Sequence, residues 1–428
     1  MQGWTYQDTL ALAGADPIGS VPIVLVLALA LLCVESCSRL RRTAARSVAS
    51  GGDREISIDG LRGFLALGVF LHHYCYTYSL HVTGHWSSME IAGFALIGKV
   101  GVAVFFMITG CLFWGRVLQT GGKIDWTAFA ISRVFRIVPL YVVMVTLLVL
   151  AVLCRTDWRI AVPLVDLFAR IGAWLAFRTP DINAMPNTSL VVAGVTWSLQ
   201  YEWLFYLVLP AMATMVREPR FRKSLLACFM LLVAVLLIHP VSLFGFRSQY
   251  LMFFVVGALA AWARRNRILR LFASSRVASH IVVGAVCTLF LRYSSIEGTA
   301  PLLLLTLAFV PIALGNTLYG LLRQRSAVLL GDMSYGIYLL HGLVLYYLFT
   351  LGLPGVLAAH ASAAAFWGGM AASLVLVLIV SYCGLRLVEE PFIRFGRHLT
   401  DAYRDRAPQG RRPRPAATMQ LPAEPLGR

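Results

Sequence analysis

An arginine and a histidine within one apolar stretch are the residues best placed to do chemistry. The stretch IDGLRGFLALGVFLHHY runs from Ile58 to Tyr74 and contains both Arg62 and His73. Ionisable groups are costly in hydrocarbon, so such a pair needs a reason. On a helix that rises about 1.5 Å per residue, His73 lies roughly 16 Å beyond Arg62. If Arg62 marks one edge of the membrane, His73 lies near its middle. The spacing therefore predicts that Arg62 forms a charged entrance to a site in which His73 is a buried general base. A snorkelling arginine and a carbonyl-bonded histidine are the structural alternative.

Glu202 is a second candidate for chemistry. It lies among aromatic residues in TWSLQYEWLFYLVLP, which include Trp197 and Tyr201. An aromatic belt at the membrane interface explains the rings but not the carboxylate. Entering from the opposite side to a depth of roughly 9 Å, Glu202 is expected near the depth of His73, in a shared cavity.

A pair of arginines in FAISRVFRIVPLY is a candidate for phosphate binding. Arg133 and Arg136 are three residues apart and therefore lie on one helix face. Arginine suits bidentate contacts with phosphate. Anchoring at the cytoplasmic interface explains the pair equally well.

Two later polar segments have plausible structural explanations. His341, in LLGDMSYGIYLLHGLVLYY, points toward mid-membrane and is explained either by packing or by a site. Glu389 and Glu390 follow the last apolar run, where we expect them to pair with Arg386 or Arg394.

The composition places these residues in a membrane protein. Of the 428 residues, 59% are hydrophobic and 13% are charged, and the mean hydropathy is +0.74. A soluble domain has roughly 45–50% apolar and about 25% charged residues. We predict an all-α, polytopic membrane helical bundle of about 11 transmembrane helices. The predicted spans are residues 17–34, 60–81, 97–118, 135–154, 196–216, 225–240, 249–263, 279–291, 301–321, 333–351 and 364–385.

One further apolar run differs from the predicted spans. In residues 160–177, Asp166 and Arg170 interrupt the run at helical spacing. This pattern is typical of an interfacial amphipathic helix.

The distribution of basic residues predicts the orientation. With the amino terminus outside, the inside segments hold 29 of the 37 Lys and Arg residues and the outside segments hold six. Basic loops favour the cytoplasm, so the carboxyl terminus is predicted to be cytoplasmic. This rule and attraction to membrane lipid explain the net charge of +17 without a nucleic-acid partner. Residues 399–428 are predicted to form a disordered basic cytoplasmic tail.

Six segments together resemble the integral-membrane acyltransferase type 3 family. No single segment is specific to the family, but all six occur in the family's order between about Asp59 and Arg397, and that combination is specific. The resemblance implies a ten-helix membrane domain over residues 56–398. Residues 1–55 then form an extension with one extra span and a basic cytoplasmic linker. The six segments are DGLRGFLALGVFLHH, GVAVFFMITGCLF, FAISRVFRIVPLY, TWSLQYEWLFYLVLP, LLGDMSYGIYLLH and EEPFIR.

The resemblance implies transfer of an acyl group, commonly acetyl, from acyl-CoA to a sugar hydroxyl of a surface polysaccharide, lipopolysaccharide or other glycan. Motif matching assigns catalysis to His73, Arg62 and Glu202, and donor binding to Arg133 and Arg136 with Arg62. No metal is expected. The residues expected to contact the substrate are Trp197, Tyr201, His341, Tyr335, His72 and Asp59.

Two positions depart from the family's pattern. Ala103 stands where the family's GVDLFF stretch has Asp, so any contact of that carboxylate is absent or supplied elsewhere. Residue 72 is His rather than the usual aromatic residue. The spacing from Arg62 nevertheless favours His73 over His72 as the catalytic imidazole.

We therefore expect an acyl-CoA-dependent O-acyltransferase of the bacterial cytoplasmic (inner) membrane, acting on a glycan or lipid-linked sugar. Direct transfer to the hydroxyl and a covalent acyl-enzyme both remain open. The alternative is a transporter or flippase of a glycan or small molecule, with His73 and Glu202 as a proton relay. Transporters of this kind have repeated halves, and no convincing repeat is visible. A non-catalytic scaffold for polysaccharide assembly is a third interpretation.

Overall fold

The computed structural model describes residues 21–36, 55–87, 92–217, 242–243, 246–352 and 363–406. These residues are almost entirely helical, which confirms the all-α class. A single antiparallel strand pair, β1 (Ser242–Leu243) and β2 (Phe246–Arg247), lies among them. The helices are α1 (Val21–Ser36), α2 (Ile56–Thr83), α3 (Ala92–Gln119), α4 (Trp126–Arg155), α5 (Leu164–Leu175), α6 (Trp197–Arg217), α7 (Gln249–Ala263), α8 (Arg267–Ala273), α9 (Arg276–Arg292), α10 (Thr299–Ala313), α11 (Arg325–Tyr346), α12 (Ala363–Gly384) and α13 (Glu390–Arg406).

Short irregular turns extend or join several helices. Two 3-10 turns cover Thr188–Val192 and Leu321–Arg323. A π-helical turn at Tyr347–Gly352 extends α11, and a second at Leu385–Glu389 joins α12 to α13.

Ten of the predicted spans overlap described helices, and the segment 225–240 lies outside the described residues. By length and composition, four described helices can cross a membrane: most of α3, all of α4, α11 with its extension, and the continuous run Phe366–Arg406. A fifth is added if α8 and α9, bent by 69°, count as one span. Helices α1, α7 and α10 are apolar but shorter. The predicted number of eleven spans is therefore not confirmed.

Helices α2 and α11 cross at the centre of the bundle. Glycines let their backbones approach closely: a Cβ atom on Gly331 would lie 1.9 Å from the carbonyl oxygen of Asp59. A Cβ atom on Gly63 would lie 2.7 Å from the Cβ atom of Leu330. Small residues at the crossing point are typical of packed membrane helices. This crossing brings the chemically active residues of both helices together.

Helix α5 covers the run that was predicted to be an amphipathic helix. Leu167 and Trp174 are buried, whereas Val165 and Phe168 are exposed. The indole nitrogen of Trp174 donates a hydrogen bond of 2.8 Å to the carbonyl oxygen of Pro180. The helix is amphipathic, and its interfacial location stays a prediction.

Helix α13 continues to Arg406, so residues 399–406 are helical and do not belong to a disordered tail. Side-chain contacts explain the longer helix, because Arg404 lies 3.4 Å from Asp125, the residue that caps α4. Residues 407–428 lie outside the described residues.

Candidate active site

Helix α2 carries Arg62 near its amino-terminal end and His73 in its middle. Arg62 is partly buried and lies 3.7 Å from Asp59, one turn earlier. The helix ends at Thr83, and Trp86 follows shortly after it. Arg62 and Trp86 therefore lie toward opposite ends of the helix that holds His73.

His73 is hydrogen-bonded to His341 of α11. Nδ1 of His73 lies 3.0 Å from Nε2 of His341. The same Nδ1 lies 3.1 Å from the carbonyl oxygen of Val69, one turn earlier. Nδ1 of His341 lies 2.9 Å from the carbonyl oxygen of Ile337. His341 is fully buried and His73 is partly exposed.

These contacts assign the tautomer of both rings. A carbonyl oxygen only accepts, so Nδ1 of His341 carries the proton and Nε2 offers a lone pair. Nδ1 of His73 lies between that lone pair and the Val69 carbonyl, so it carries the proton of the neutral ring. Nε2 of His73 is left unprotonated, and no described residue hydrogen-bonds to it. An imidazole in this state is ready to accept a proton at Nε2.

The neighbouring His72 has a different environment. Its Nδ1 lies 2.7 Å from the carbonyl oxygen of Phe94. A Cβ atom on Gly98 would lie 2.4 Å from the His72 ring, so this histidine packs α2 tightly against α3. These contacts explain His72 as a packing residue. They do not explain His73, because no described residue hydrogen-bonds to its Nε2.

A cavity of about 170 Å³, here called the inner cavity, lies between α2, α3, α4, α6 and α11. Arg62 and Glu202 both line it. Its walls combine apolar side chains, mostly from α3, with charged and hydroxyl groups from the other helices. Other lining residues are Val102, Phe105, Leu112, Ser198, Ser334 and Tyr338.

Glu202 and His73 do not share this cavity. The Glu202 carboxylate accepts a hydrogen bond from Tyr206 one turn later on α6. His73 does not line the inner cavity, but Tyr338 does, and the Tyr338 ring centroid is 6.4 Å from that of His341. His341 does not line the inner cavity either, and it is His341, rather than Glu202, that contacts the His73 ring.

A larger cavity of about 900 Å³, here called the arginine chamber, opens beside the inner cavity. Arg62, Arg133 and Arg136 line both spaces, so the two cavities are adjacent. Asp59 also lines the chamber. The chamber has further arginines that sequence reasoning did not select: Arg116, Arg394, Arg397 and Arg404.

The two arginines of α4 differ in their contacts. The Arg133 guanidinium lies over the Phe113 ring, 5.1 Å from its centroid, and its buried Nε has no hydrogen-bond partner among the described residues. Arg136 is 2.5 Å from Oε2 of Glu389, whose side chain is fully buried. Arg133 donates a hydrogen bond of 3.0 Å to Oγ of Ser132 but has no ion pair among the described residues, so it is the more available of the two for an anionic ligand.

The predicted pairing of Glu389 is wrong, and that of Glu390 is confirmed. Glu390 lies 2.5 Å from Arg386, but Glu389 pairs with Arg136. Successive helical residues point about 100° apart. Glu389 consequently faces α4, whereas Glu390 pairs with Arg386 and lines the arginine chamber.

The structure separates the remaining expected substrate residues. Tyr335 lines the inner cavity and donates a hydrogen bond of 2.8 Å to the carbonyl oxygen of Ile137. Trp197 and Tyr201 line neither the inner cavity nor the chamber, but pack around Tyr250, at ring distances of 5.0 and 5.5 Å. This cluster supports the strand pair rather than the site.

Sequence reasoning missed an aromatic pair beside His73. The Trp86 ring centroid is 6.3 Å from that of His73 and 5.6 Å from that of Tyr76. Tyr76 follows His73 by three positions, a helical spacing that was visible in the sequence. Trp86 was not predictable in this way, because it returns to the helix through a turn at Gly84, where φ is +75°.

Within the described ranges, no three His, Cys, Asp or Glu side chains form a group that could bind a metal ion. The side chains that the histidine pair and the two cavities offer for chemistry are imidazoles, carboxylates and guanidinium groups.

Known proteins resemble this chain over most of its length. The acyltransferase domain family (acyltransferase type 3) matches residues 55–386. The exopolysaccharide production protein ExoZ of Rhizobium meliloti (strain 1021) is 26% identical over 308 residues, which cover 70% of this chain and 91% of that protein. Nodulation protein 10 of Rhizobium leguminosarum bv. viciae is 26% identical over 287 residues, or 61% of this chain and 75% of that protein.

No solved structure gives a significant match. The family match covers well over half of the residues and includes both histidines of the site. This chain therefore belongs to the acyltransferase type 3 family.

Proposed function

We propose that this protein is an O-acyltransferase of the bacterial cytoplasmic membrane. It moves an acyl group, acetyl in the simplest case, from acyl-CoA to a sugar hydroxyl of a cell-surface polysaccharide or related glycan. Membership of the acyltransferase family supports acyl transfer, and a relative named for exopolysaccharide production supports the glycan acceptor. The observation that carries the mechanism is the hydrogen bond from Nδ1 of His73 to Nε2 of His341, which leaves Nε2 of His73 open.

His73 acts as the general base in this proposal. The sugar hydroxyl donates its proton to Nε2 of His73 while its oxygen attacks the thioester carbonyl. The carbon–sulfur bond then breaks, and the proton passes from His73 to the departing sulfur, which leaves as a thiol. His341 accepts the hydrogen bond from Nδ1 throughout, so the ring keeps the tautomer and orientation that the step requires.

The donor enters through the arginine chamber. Its phosphates lie in the chamber, and its thioester end passes Arg62 into the inner cavity, which is narrower and more apolar. Arg133, which lines the chamber and has no ion pair among the described residues, contacts a phosphate. Arg62 lines both spaces and either restrains the donor or stabilises developing negative charge.

Glu202 belongs to the donor side of this arrangement. It lines the inner cavity together with Arg62, Arg133 and Arg136, so its carboxylate offsets part of their positive charge. The hydrogen bond from Tyr206 holds that carboxylate in place. We assign Glu202 to positioning the donor rather than the imidazole.

The acceptor approaches His73 from the side of Trp86. The aromatic rings of Trp86 and Tyr76 lie beside His73, whereas the arginines lie toward the other end of α2. Flat aromatic faces suit the apolar faces of sugar rings. In the predicted orientation, the amino terminus lies outside and the carboxyl terminus lies in the cytoplasm. The Trp86 side of α2 then faces away from the cytoplasm, toward the side of the membrane where cell-surface glycans are assembled.

A turnover assay with the full chain in lipid nanodiscs tests the function. We expect release of coenzyme A from acetyl-CoA only when an oligosaccharide fragment of a surface glycan is present, with the label recovered as an ester of the sugar. Addition of EDTA leaves this rate unchanged. Uptake of the glycan into liposomes without ester formation would instead favour a transporter.

A further inference from the structure

Helix α13 lies outside the family match, which ends at residue 386, yet it forms one wall of the arginine chamber. It docks on α4 through a close contact at Gly396, where a Cβ atom would lie 2.8 Å from the Cβ atom of Phe135. The rings of Phe135 and Phe395 add an edge-on contact with centroids 5.5 Å apart. This docking gives α13 a defined place opposite the arginines of α4.

Three arginines of α13 line the chamber, and their contacts differ. Arg404 lies 3.4 Å from Asp125, and Nε of Arg394 lies 3.4 Å from the carbonyl oxygen of Glu390. Arg397 is exposed to the chamber and has neither a hydrogen bond nor an ion pair with any described residue. Arg397 is thus an exposed cation at the chamber wall that has no ion-pair partner among the described residues.

The chamber as a whole is basic. Seven arginines line it, against the four carboxylates of Asp59, Asp332, Glu390 and Asp401. Three of the arginines have carboxylate neighbours: Arg62 lies 3.7 Å from Asp59, Arg136 lies 2.5 Å from Glu389, and Arg404 lies 3.4 Å from Asp125. The remaining excess of guanidinium groups favours a ligand that carries several negative charges.

We propose that α13 binds the phosphates of the nucleotide end of the acyl-CoA donor, with Arg397 as its principal contact. The inference rests on the proposed donor class. A volume of about 900 Å³ suits a nucleotide, since ligand sites of that kind occupy roughly 300–1,000 Å³. Guanidinium groups match phosphate oxygens in geometry as well as in charge. The α4 arginines hold the donor near the inner cavity, and α13 holds its distal phosphates.

The experiment uses the full chain in nanodiscs, with coenzyme A as the binding probe and acetyl-CoA as the substrate. Arg397→Ala is compared with Arg406→Ala, a change of the same charge on the same helix at a position that does not line the chamber. We expect Arg397→Ala to weaken coenzyme A binding about tenfold, as loss of one charge-assisted contact does. KM for acetyl-CoA should rise similarly while kcat is kept, since only donor binding changes. Arg397→Lys should recover part of the affinity.

The outcomes separate this inference from the proposed function. If the wild-type protein binds coenzyme A and Arg397→Ala binds it as tightly as Arg406→Ala, α13 has no part in donor binding, although the function stands. If the wild-type protein does not bind coenzyme A, the donor class is wrong and the inference falls with it. Equal melting temperatures of the two variants confirm that folding is not the cause of a difference.

Discussion

Nδ1 of His73 lies 3.0 Å from Nε2 of His341, although 268 positions separate the two residues in the chain. The contact depends on the crossing of α2 and α11, and it assigns one proton to each ring. It leaves the second nitrogen of His73 open, on a ring that faces Trp86. His73 is therefore the candidate base, and His341 is the partner that fixes its tautomer. Substitutions test the two residues separately.

Replacing His73 by Ala removes the proposed base. We expect kcat for acyl transfer to fall by about 10²- to 10⁴-fold, the usual contribution of general base catalysis. The rate of labelled acetyl transfer to glycan measures this. His81→Ala is the matched control, because His81 is an exposed histidine on the same helix that contacts Thr350. Full activity of His73→Ala would overturn the assignment.

Replacing His341 tests its role as a positioning residue. In His341→Ala, Nδ1 of His73 loses its side-chain acceptor and keeps only the Val69 carbonyl oxygen, so we expect kcat to fall by about 10²-fold while KM for acetyl-CoA changes little. His341→Gln retains a side-chain acceptor and should recover part of the rate, whereas His341→Phe should not. A purely structural role for His341 predicts equal losses in the Gln and Phe variants.

The buried pair of Arg136 and Glu389 predicts a stability effect. In Arg136→Ala, the fully buried Glu389 carboxylate loses its partner, and we expect a loss of about 3 kcal/mol in unfolding free energy. The double variant Arg136→Ala with Glu389→Gln should recover most of it, because no buried charge is left. Thermal unfolding in detergent measures both. A double variant no more stable than Arg136→Ala would show that the pair is not coupled.

The close approach at Gly331 predicts a packing effect on activity. A Cβ atom there would meet the Asp59 backbone, which cannot move independently of α2. We expect Gly331→Ala to cost about 1–3 kcal/mol and to lower kcat by shifting α11 against α2. Gly284→Ala on α9 is the control, since a Cβ atom added there would have no neighbouring atom within 4 Å. Melting curves and turnover should both separate the two variants.

Much of this protein was predictable from local features of the sequence. Long apolar runs predicted a helical membrane protein because each run must satisfy its own backbone hydrogen bonds in lipid. The spacing of Arg62 and His73 along one helix predicted their separation and favoured His73 over His72. Six ordered motifs predicted the family that the comparison confirmed.

Only the tertiary structure decided how distant helices meet. The pairing of His341 with His73, the pairing of Glu389 with Arg136 and the separation of Glu202 from His73 all depend on helix crossings. The docking of α13 on the chamber depends on them as well. A helical repeat tells which side chains share one face, but it does not tell which helix that face will contact. That choice is made by close packing between segments that are far apart in the chain.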